Sequence, residues 1–398
     1  MSGSKGIVIV VIAVLLIGIV VAGGSYLLVR KKHKNAAEQL QTAKDLLENN
    51  KQEEALRLLK EHIAKYPDME TTPEALFYLA QTLHNQNSSK AAELFDRLLN
   101  EYPDSAFTRR AYYYKALQLI DKRPITSECK DFFREQVNTT ENDQVLYVAQ
   151  YGLALYDMEN GKYTEAKESM DNLMEREIPA ELRAKMETSL GDLNLRLLYS
   201  PEAHGEDEYY TIKKGDYIYK LAQKYNVTQE LLMKCNSITD PKKISIGQRM
   251  KIPLKEFSIL VDKYTNTLTL LANGKFFKKY SVRTGAYENQ TPIGEFKIHN
   301  KKKNPRWVNP RTHELYAPGD PGNELGTRWM SFQSDMLGIH GTIKPESVGY
   351  YSSFGCVGMY REDVEELFDL IPLETPIKIV GQMNPEIVEK SKILGFRD

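Results

Sequence analysis

The sequence predicts a multidomain chain: an N-terminal transmembrane helix, an all-α repeat array, a small module of mixed helix and strand, and a mainly-β domain at the C-terminal end. Three observations carry that expectation. Gly6 to Val29 contains no charged residue. From residue 36 to about 200, apolar residues fall at helical spacing within a recurring pattern. From Phe257 onward the spacing changes to strand-like alternation.

The length of 398 residues agrees with two or three domains at about 150 residues each. With 41% hydrophobic and 27% charged residues, the chain has the composition of a globular protein, which excludes wholesale disorder. Lys plus Arg total 53 against 54 for Asp plus Glu, so no global field attracts polyanions and no nucleic-acid partner is expected. Cys129, Cys235 and Cys356 are odd in number and far apart, which excludes a dense disulfide framework and any CxxC metal pair. No metal or cofactor is expected.

The uncharged run exceeds the roughly 20 residues needed to cross a bilayer. It continues through Tyr26, Leu27 and Leu28, beyond the core of about 7 to 15 residues in a cleavable signal, so it reads as an uncleaved anchor over residues 1–34. Orientation carries a conflict. Lys5 precedes the run, whereas Arg30, Lys31, Lys32 and Lys34 follow it, and the positive-inside rule would place the body in the cytoplasm. Long domains translocate largely regardless of such flanks, and the chemistry farther along the chain requires the opposite side.

In residues 35–200, Ala55 to Pro67, Ala91 to Pro103 and Ala166 to Pro179 align as small-residue-to-proline spans, with an offset of about 36 residues or twice that. Leu56, Leu59 and Ile63, then Leu94, Phe95, Leu98 and Leu99, lie at helical spacing, and Tyr66-Pro67-Asp68 and Tyr102-Pro103-Asp104 terminate their helices. The pattern resembles tetratricopeptide repeats, helix pairs with a 34-residue period. Pro124 to Gln144 reads as a polar insertion. Such arrays bind protein partners on a concave face or serve as spacers.

After a linker over residues 201–207, residues 208–254 hold Tyr209-Tyr210-Thr211-Ile212, then Gly215-Asp216, a helical Leu221-Ala222-Gln223, Asn236, and a closing Ile246-Gly247-Gln248-Arg249-Met250-Lys251-Ile252-Pro253. This combination resembles a βααβ LysM domain. The resemblance implies binding to N-acetylglucosamine-containing glycan such as peptidoglycan, with contacts at Gly215, Asp216 and Asn236. Each also has an ordinary structural reading, Asp216 as a helix cap and Gly215 as a turn residue.

In residues 255–381, Ile259 and Val261, then Leu268 and Leu270, alternate along strands, and Asn273-Gly274 marks a hairpin turn. Thr291-Pro292-Ile293-Gly294-Glu295-Phe296, His340-Gly341-Thr342 and Ser353-Phe354-Gly355-Cys356 follow in that order. The three segments resemble the YkuD or L,D-transpeptidase catalytic domain. That family uses a Cys nucleophile to attack the L-to-D bond of a peptidoglycan tetrapeptide stem, expelling D-Ala. The resemblance implies that Cys356 is the nucleophile, His340 the base, the Gly341 carbonyl its orienting acceptor, and the Gly355 and Cys356 amides the oxyanion hole. It further implies substrate contacts at Ser353, Tyr351 and Arg361.

The chemistry points the same way, because a free thiol with pKa near 8.5 is only a few per cent ionised at neutral pH and needs a neighbouring base. His299 and His313 are alternative bases within the domain. One departure stands out: Gly358 occupies a position where most family members carry Arg, and Arg361, Arg306 or Arg328 are candidates to replace it. Residues 301–323 read as a lid or a packed loop, and residues 382–398 as a tail.

Together these readings imply a single-pass protein of a bacterial inner membrane, with its body in the periplasm or cell-wall space, cross-linking or remodelling peptidoglycan. A glycan-binding scaffold with an impaired site and an L,D-carboxypeptidase are the alternatives.

Overall fold

The computed structural model describes the backbone of residues 3–309, 312–333 and 336–397, and side chains from residue 26 onward. The chain forms two compact units, Met1–Glu159 and Asn160–Asp398.

The first unit is helical: α1 (Gly3–Glu48), α2 (Gln52–Lys65), α3 (Thr72–Asn85), α4 (Lys90–Glu101), α5 (Ala106–Asp121), α6 (Ser127–Thr139) and α7 (Asp143–Glu159). The expected membrane span falls mostly on residues before 26, whose side chains lie outside the described residues. Among the described residues, no helix is long and apolar enough to cross a membrane.

Helices α1 to α5 pack each against the next, with Leu59, Leu76, Phe77, Phe95 and Leu98 in a shared core. The repeat has a physical basis in its turns. Thr72 Oγ1 donates to the Tyr66 carbonyl, and Thr108 Oγ1 donates to the Tyr102 carbonyl at 2.5 Å, at the same offset. Each hydroxyl satisfies a carbonyl left open where the preceding helix ends. Successive turns are joined because the Tyr102 hydroxyl donates to the Pro67 carbonyl at 2.8 Å.

The polar insertion expected over Pro124 to Gln144 is instead helical. Thr126 caps α6 by accepting from the Cys129 amide, and Phe133 is fully buried. An ideal Cβ on Gly152 would lie 2.5 Å from the Phe133 ring, so α7 leaves room for it by carrying glycine there. One well-placed aromatic ring anchors a helix that looks polar by composition.

The second unit begins with α8 (Tyr163–Met174) and α9 (Ala180–Tyr199). The LysM-like segment follows as β1 (Glu208–Thr211), α10 (Ile218–Lys224), α11 (Gln229–Lys234) and β2 (Arg249–Ile252), with β1 and β2 antiparallel. This is the expected βααβ arrangement. Asp216 does not cap the first helix, however; α10 has Tyr217 at its N-cap position and no side-chain cap. The Asp216 carboxylate instead closes the preceding turn, accepting from the Lys213 amide at 2.7 Å and the Tyr210 hydroxyl at 2.9 Å.

The remaining strands are β3 (Phe257–Asp262), β4 (Thr267–Ala272), β5 (Lys275–Gly285), β6 (Gly294–Lys297), β7 (Asn300–Lys303), β8 (Trp307–Val308), β9 (Leu315–Tyr316), β10 (Arg328–Gln333), β11 (Leu337–Gly341), β12 (Tyr351–Ser353), β13 (Val357–Met359) and β14 (Pro376–Val380). Helix α12 (Arg361–Leu370) lies between β13 and β14, and α13 (Pro385–Ile393) follows. A mixed sheet runs in the order β6-β14-β3-β4-β5-β13-β11-β10-β7, with β12 paired to β5, and β8 and β9 form a separate hairpin. The β4–β5 turn is Asn273-Gly274, both at positive φ as a type I′ hairpin requires. Helix α12 buries Val364, Leu367 and Phe368, the stripe its sequence predicts.

Helix α9, the LysM segment and the sheet share one core, in which Leu195, Leu198, Leu231 and Cys235 join Ile259, Val282 and Leu367. The lock is a buried lysine. Lys251 Nζ donates to the carbonyls of Leu197, Leu198 and Ser200 at 3.0–3.1 Å and pairs with Asp207 at 3.1 Å. The ammonium therefore caps the negative end of α9 while its counter-charge sits in the connecting segment. Asp207 is buried, which opposes ionisation, but Lys255 and Lys251 hold its carboxyl below the usual range.

Lys251→Met should destabilise this unit by about 3 kcal/mol, the scale for breaking a buried ion pair. The measurement is the urea midpoint of tryptophan fluorescence, since Trp307 and Trp329 both lie in this unit; an unchanged midpoint would contradict the lock. Because the Asp207 pKa is depressed, its contribution is present above the unfolded carboxylate pKa of about 3.9 and is lost as pH falls through the lower folded value.

Candidate active site

Strand register assembles the site. In the parallel β11–β13 pair His340 stands opposite Gly358, and in the antiparallel β13–β5 pair Gly358 stands opposite Arg283. Cys356 precedes β13 by one residue and so lies at the mouth of this row. A groove of about 650 Å³ opens there, lined among others by Arg283, Trp307, Trp329, Met336, His340 and Cys356.

The Cys356 loop is held from both sides. Ser353 Oγ donates to the Cys356 carbonyl at 2.6 Å and accepts from the Gly355 amide at 3.1 Å. Thr291, from the TPxGxF segment, accepts from the Gly285 amide at 2.8 Å and donates to the Gly355 carbonyl at 2.9 Å. Gly355 sits at φ +123°, and an ideal Cβ there would lie 2.4 Å from the Gln290 carbonyl oxygen. Glycine is required on both counts.

His340 is 3% exposed. Its ring stacks at 6.0 Å on Trp329 of β10, and Nδ1 is hydrogen-bonded to the Gly341 carbonyl. With the proton on Nδ1 donated to that carbonyl, Nε2 carries a lone pair. Burial, reinforced by the positive charge of Arg283 and opposed by the Gly341 and Glu324 carbonyls, pulls the imidazole pKa down to about 3. For Cys356, burial pushes the thiol up, with Gly338 and Arg283 acting in the opposite direction. Both the Cys356 thiol, which is directed at the Met336 carbonyl at 3.8 Å, and the His340 imidazole therefore rest uncharged in the groove that they line.

The structure thus brings together Cys356, His340, Gly341, Gly355 and Ser353. Tyr351 does not join them: it is fully buried, and its hydroxyl donates to the Lys263 carbonyl and accepts from the Asn384 amide, both at 2.7 Å. Arg361 is exposed on α12 and pairs with Glu365 at 3.3 Å. Arg328 lies over the Phe368 ring, and only Arg306 of the three candidate arginines lines the groove. His299 lines a separate cavity of about 840 Å³, and His313 is exposed in the loop between β8 and β9. Residues 301–323 supply the β8–β9 hairpin, in which Trp307 lies 5.2 Å from Tyr316, and Pro305 to Val308 wall the groove.

In the LysM segment Gly215 and Asp216 share one turn, whereas Asn236 is internal. Its side chain donates to the Leu232 and Lys251 carbonyls and accepts from the Lys251 amide, a strut between α11 and β2. Cys235 is fully buried, its thiol directed at the Leu198 carbonyl, and burial pushes its pKa to about 12.

Sequence reasoning missed Arg283, Trp329 and the tethering role of Thr291. Thr291 was visible in its motif, and Trp329 required knowing the β10–β11 register. Arg283 had one signal: an arginine beside Thr284-Gly285 on a strand, in a chain lacking arginine at position 358.

A model of the L,D-transpeptidase catalytic domain (YkuD) matches residues 256–379, a LysM domain model matches residues 210–253, and a tetratricopeptide repeat model matches residues 74–105. YkuD of Bacillus subtilis, which bears the L,D-transpeptidase name, is 31% identical over 176 residues, 43% of this chain and 97% of that protein. YqjB of the same organism, of the same name group, is 38% identical over 126 residues, 30% of this chain and 69% of that protein. The solved catalytic domain of an E. faecium L,D-transpeptidase aligns at 23% identity over 31% of this chain and 96% of that chain, with a TM-score of 0.26. The chain belongs to the L,D-transpeptidase (YkuD) family, and it joins that catalytic domain to a LysM domain and tetratricopeptide repeats.

His340 should remain neutral, protonated on Nδ1, from pH 5 to 9 in ¹⁵N NMR spectra of the imidazole. An imidazolium signal at pH 7 would contradict the neutral pair.

Proposed function

We propose that this chain is a peptidoglycan L,D-transpeptidase whose nucleophile is Cys356. The observation that supports it best is a tethered thiol in a walled groove that also contains a buried imidazole, whose Nδ1 is hydrogen-bonded to the Gly341 carbonyl.

Cys356 Sγ attacks the carbonyl carbon of the L-centre residue in a tetrapeptide stem while its proton passes to His340 Nε2. The developing oxyanion is met by the Cys356 amide and by the Gly355 amide, which it shares with Ser353 Oγ. Such donors contribute about 3 kcal/mol each to lowering the barrier. The C–N bond then breaks, the departing D-Ala amine takes the proton from His340, and a thioester remains on Cys356. An acceptor amine attacks that thioester, His340 takes its proton, and the sulfur leaves and is reprotonated. Water in place of the amine makes the protein an L,D-carboxypeptidase.

Residues 6–29 anchor the chain in the bacterial cytoplasmic membrane with the body on its outer side, where peptidoglycan lies. The LysM segment holds glycan. Since Asp216 and Asn236 are engaged internally, the neighbouring pair of exposed rings Tyr217 and Tyr219, 5.8 Å apart, offers a sugar-stacking surface beside Gly215. The repeats dock a protein partner or act as a spacer.

With a disaccharide-tetrapeptide and an acceptor stem, the full-length chain should release D-Ala and form a cross-linked dimer detectable by mass spectrometry. Cys356→Ala should abolish both products, and His340→Ala should slow them about a hundredfold or more. Tripeptide without dimer would assign the carboxypeptidase reading, and glycan binding without any turnover would assign the scaffold.

A reporter fused after Asp398 should be active outside the cytoplasm; activity in the cytoplasm alone would overturn the topology. Tyr217→Ala should reduce sedimentation with insoluble peptidoglycan while leaving the fold unchanged, and equal sedimentation would remove the ring pair from the glycan site.

A further inference from the structure

Gly358 and Arg283 fit each other as space and filler. An ideal Cβ on Gly358 would lie 2.4 Å from Arg283 Nε, 2.7 Å from its Cγ and 3.0 Å from its Cδ. The Arg283 side chain thus lies across the position where any residue other than glycine would begin its own side chain. The strand pairing places the two directly opposite, so the guanidinium reaches the groove from β5 instead of from β13.

That guanidinium is 4% exposed and lines the groove. Nη1 donates to Ser347 Oγ at 3.3 Å, and Nε is buried without a hydrogen-bond partner. Glu324 and Glu346 act on Arg283 electrostatically, but among the described residues no carboxylate pairs with it within 4.0 Å. Lys302 and Arg306 add positive charge to the same wall, and Glu324, which also lines it, is engaged by Lys344 at 2.8 Å. A buried cation without a counter-ion is costly and is compensated when a ligand supplies the anion. The first anion to arise at this end of the groove is the sulfur itself; the next is a carboxylate on the substrate.

We propose that Arg283 replaces, from the neighbouring strand, the arginine absent at position 358, and that its guanidinium binds the terminal carboxylate of the donor stem beside Cys356. This rests on the transpeptidase reading for the identity of the donor. Attack at the L-centre carbonyl leaves the D-Ala carboxylate separated from the scissile carbonyl carbon by only N and Cα, in the groove that Arg283 and Cys356 both line. Once thioester formation releases D-Ala, the carboxylate departs with it and the acceptor amine enters a site cleared of that anion. The glycine is then a requirement of the exchange and not a defect.

The test uses two small alkylating probes on the full-length chain, iodoacetate and iodoacetamide, which differ in a carboxylate and do not require transpeptidation. The readout is the ratio of their rates at Cys356, followed by intact mass and normalised to the same ratio for a free thiol. Arg283→Gln should lower the ratio about tenfold, the order expected for loss of one adjacent charge. Arg283→Lys should retain part of it.

Gly358→Arg alone should collide with Arg283 and lose both stability and anion preference. The exchange variant Arg283→Ser with Gly358→Arg should recover the preference, which also separates a charge effect from misfolding. With natural donor, amidating the terminal D-Ala should raise KM in the wild type and have no effect in Arg283→Gln. An unchanged alkylation ratio in folded Arg283→Gln, or a Gly358→Arg variant that behaves as wild type, overturns the proposal even if Cys356-dependent cross-linking persists. Conversely, an Arg283-dependent ratio in a chain that turns over no donor would leave an anion site standing and refute the transpeptidase reading.

Discussion

The site depends on the register of three strands. Pairing β5 with β13 and β13 with β11 sets Arg283, Gly358 and His340 in one row, and Cys356 emerges at its edge. A slip of one residue in the β11–β13 pairing would turn His340 out of the groove, and one in the β13–β5 pairing would remove the gap that accommodates Arg283. Burial in this row explains why both the thiol and the imidazole rest uncharged: low dielectric disfavours each charged form, and the nearby guanidinium further opposes an imidazolium while favouring a thiolate. The guanidinium thus adds to burial in opposing protonation of His340 and works against burial in favouring ionisation of Cys356.

A second constraint lies outside the groove. Lys251 fastens the end of α9, the LysM segment and the connecting segment at Asp207, while Thr228 at the start of α11 bonds the Asp369 carbonyl of α12 and Lys234 pairs with Asp369 at 2.7 Å. Glu230 and Lys303 add a contact at 2.7 Å between α11 and β7. The LysM segment is therefore part of the same compact unit as the groove rather than a tethered accessory. A glycan strand held by the LysM surface would present its peptide stems over a restricted range, which raises the effective concentration of the stem at Cys356.

What the sequence disclosed and what it hid divide along physical lines. Motifs that constrain backbone and chemistry at once, such as Gly355-Cys356 and His340-Gly341, were legible because few other residues could occupy those positions. The Tyr-Pro turns of the repeats were legible from their prolines, whereas the hydroxyls of Thr72 and Thr108 that recur with them came only from the structure. Features set by partners distant in sequence were not. Arg283 becomes meaningful only when β5 lies beside β13, and Tyr351, adjacent to the motif, faces away from the groove because β12 pairs with β5. Helix α6 escaped notice because a single ring, Phe133, carries most of its burial. Asp216 has the composition of a helix cap but serves the turn before the helix, a choice decided by where Lys213 and Tyr210 present their donors.

The central claim is that acyl transfer passes through Cys356, set against a neutral His340. Rapid-quench mass spectrometry of the full-length chain with a tetrapeptide stem tests it most directly, by mapping any covalent adduct to a peptide. The account predicts a transient adduct on the peptide containing Cys356, heavier by the stem less its terminal D-Ala, that decays as acceptor is added. D-Ala release with no adduct at Cys356, or an adduct at Cys129 or another residue, would contradict it.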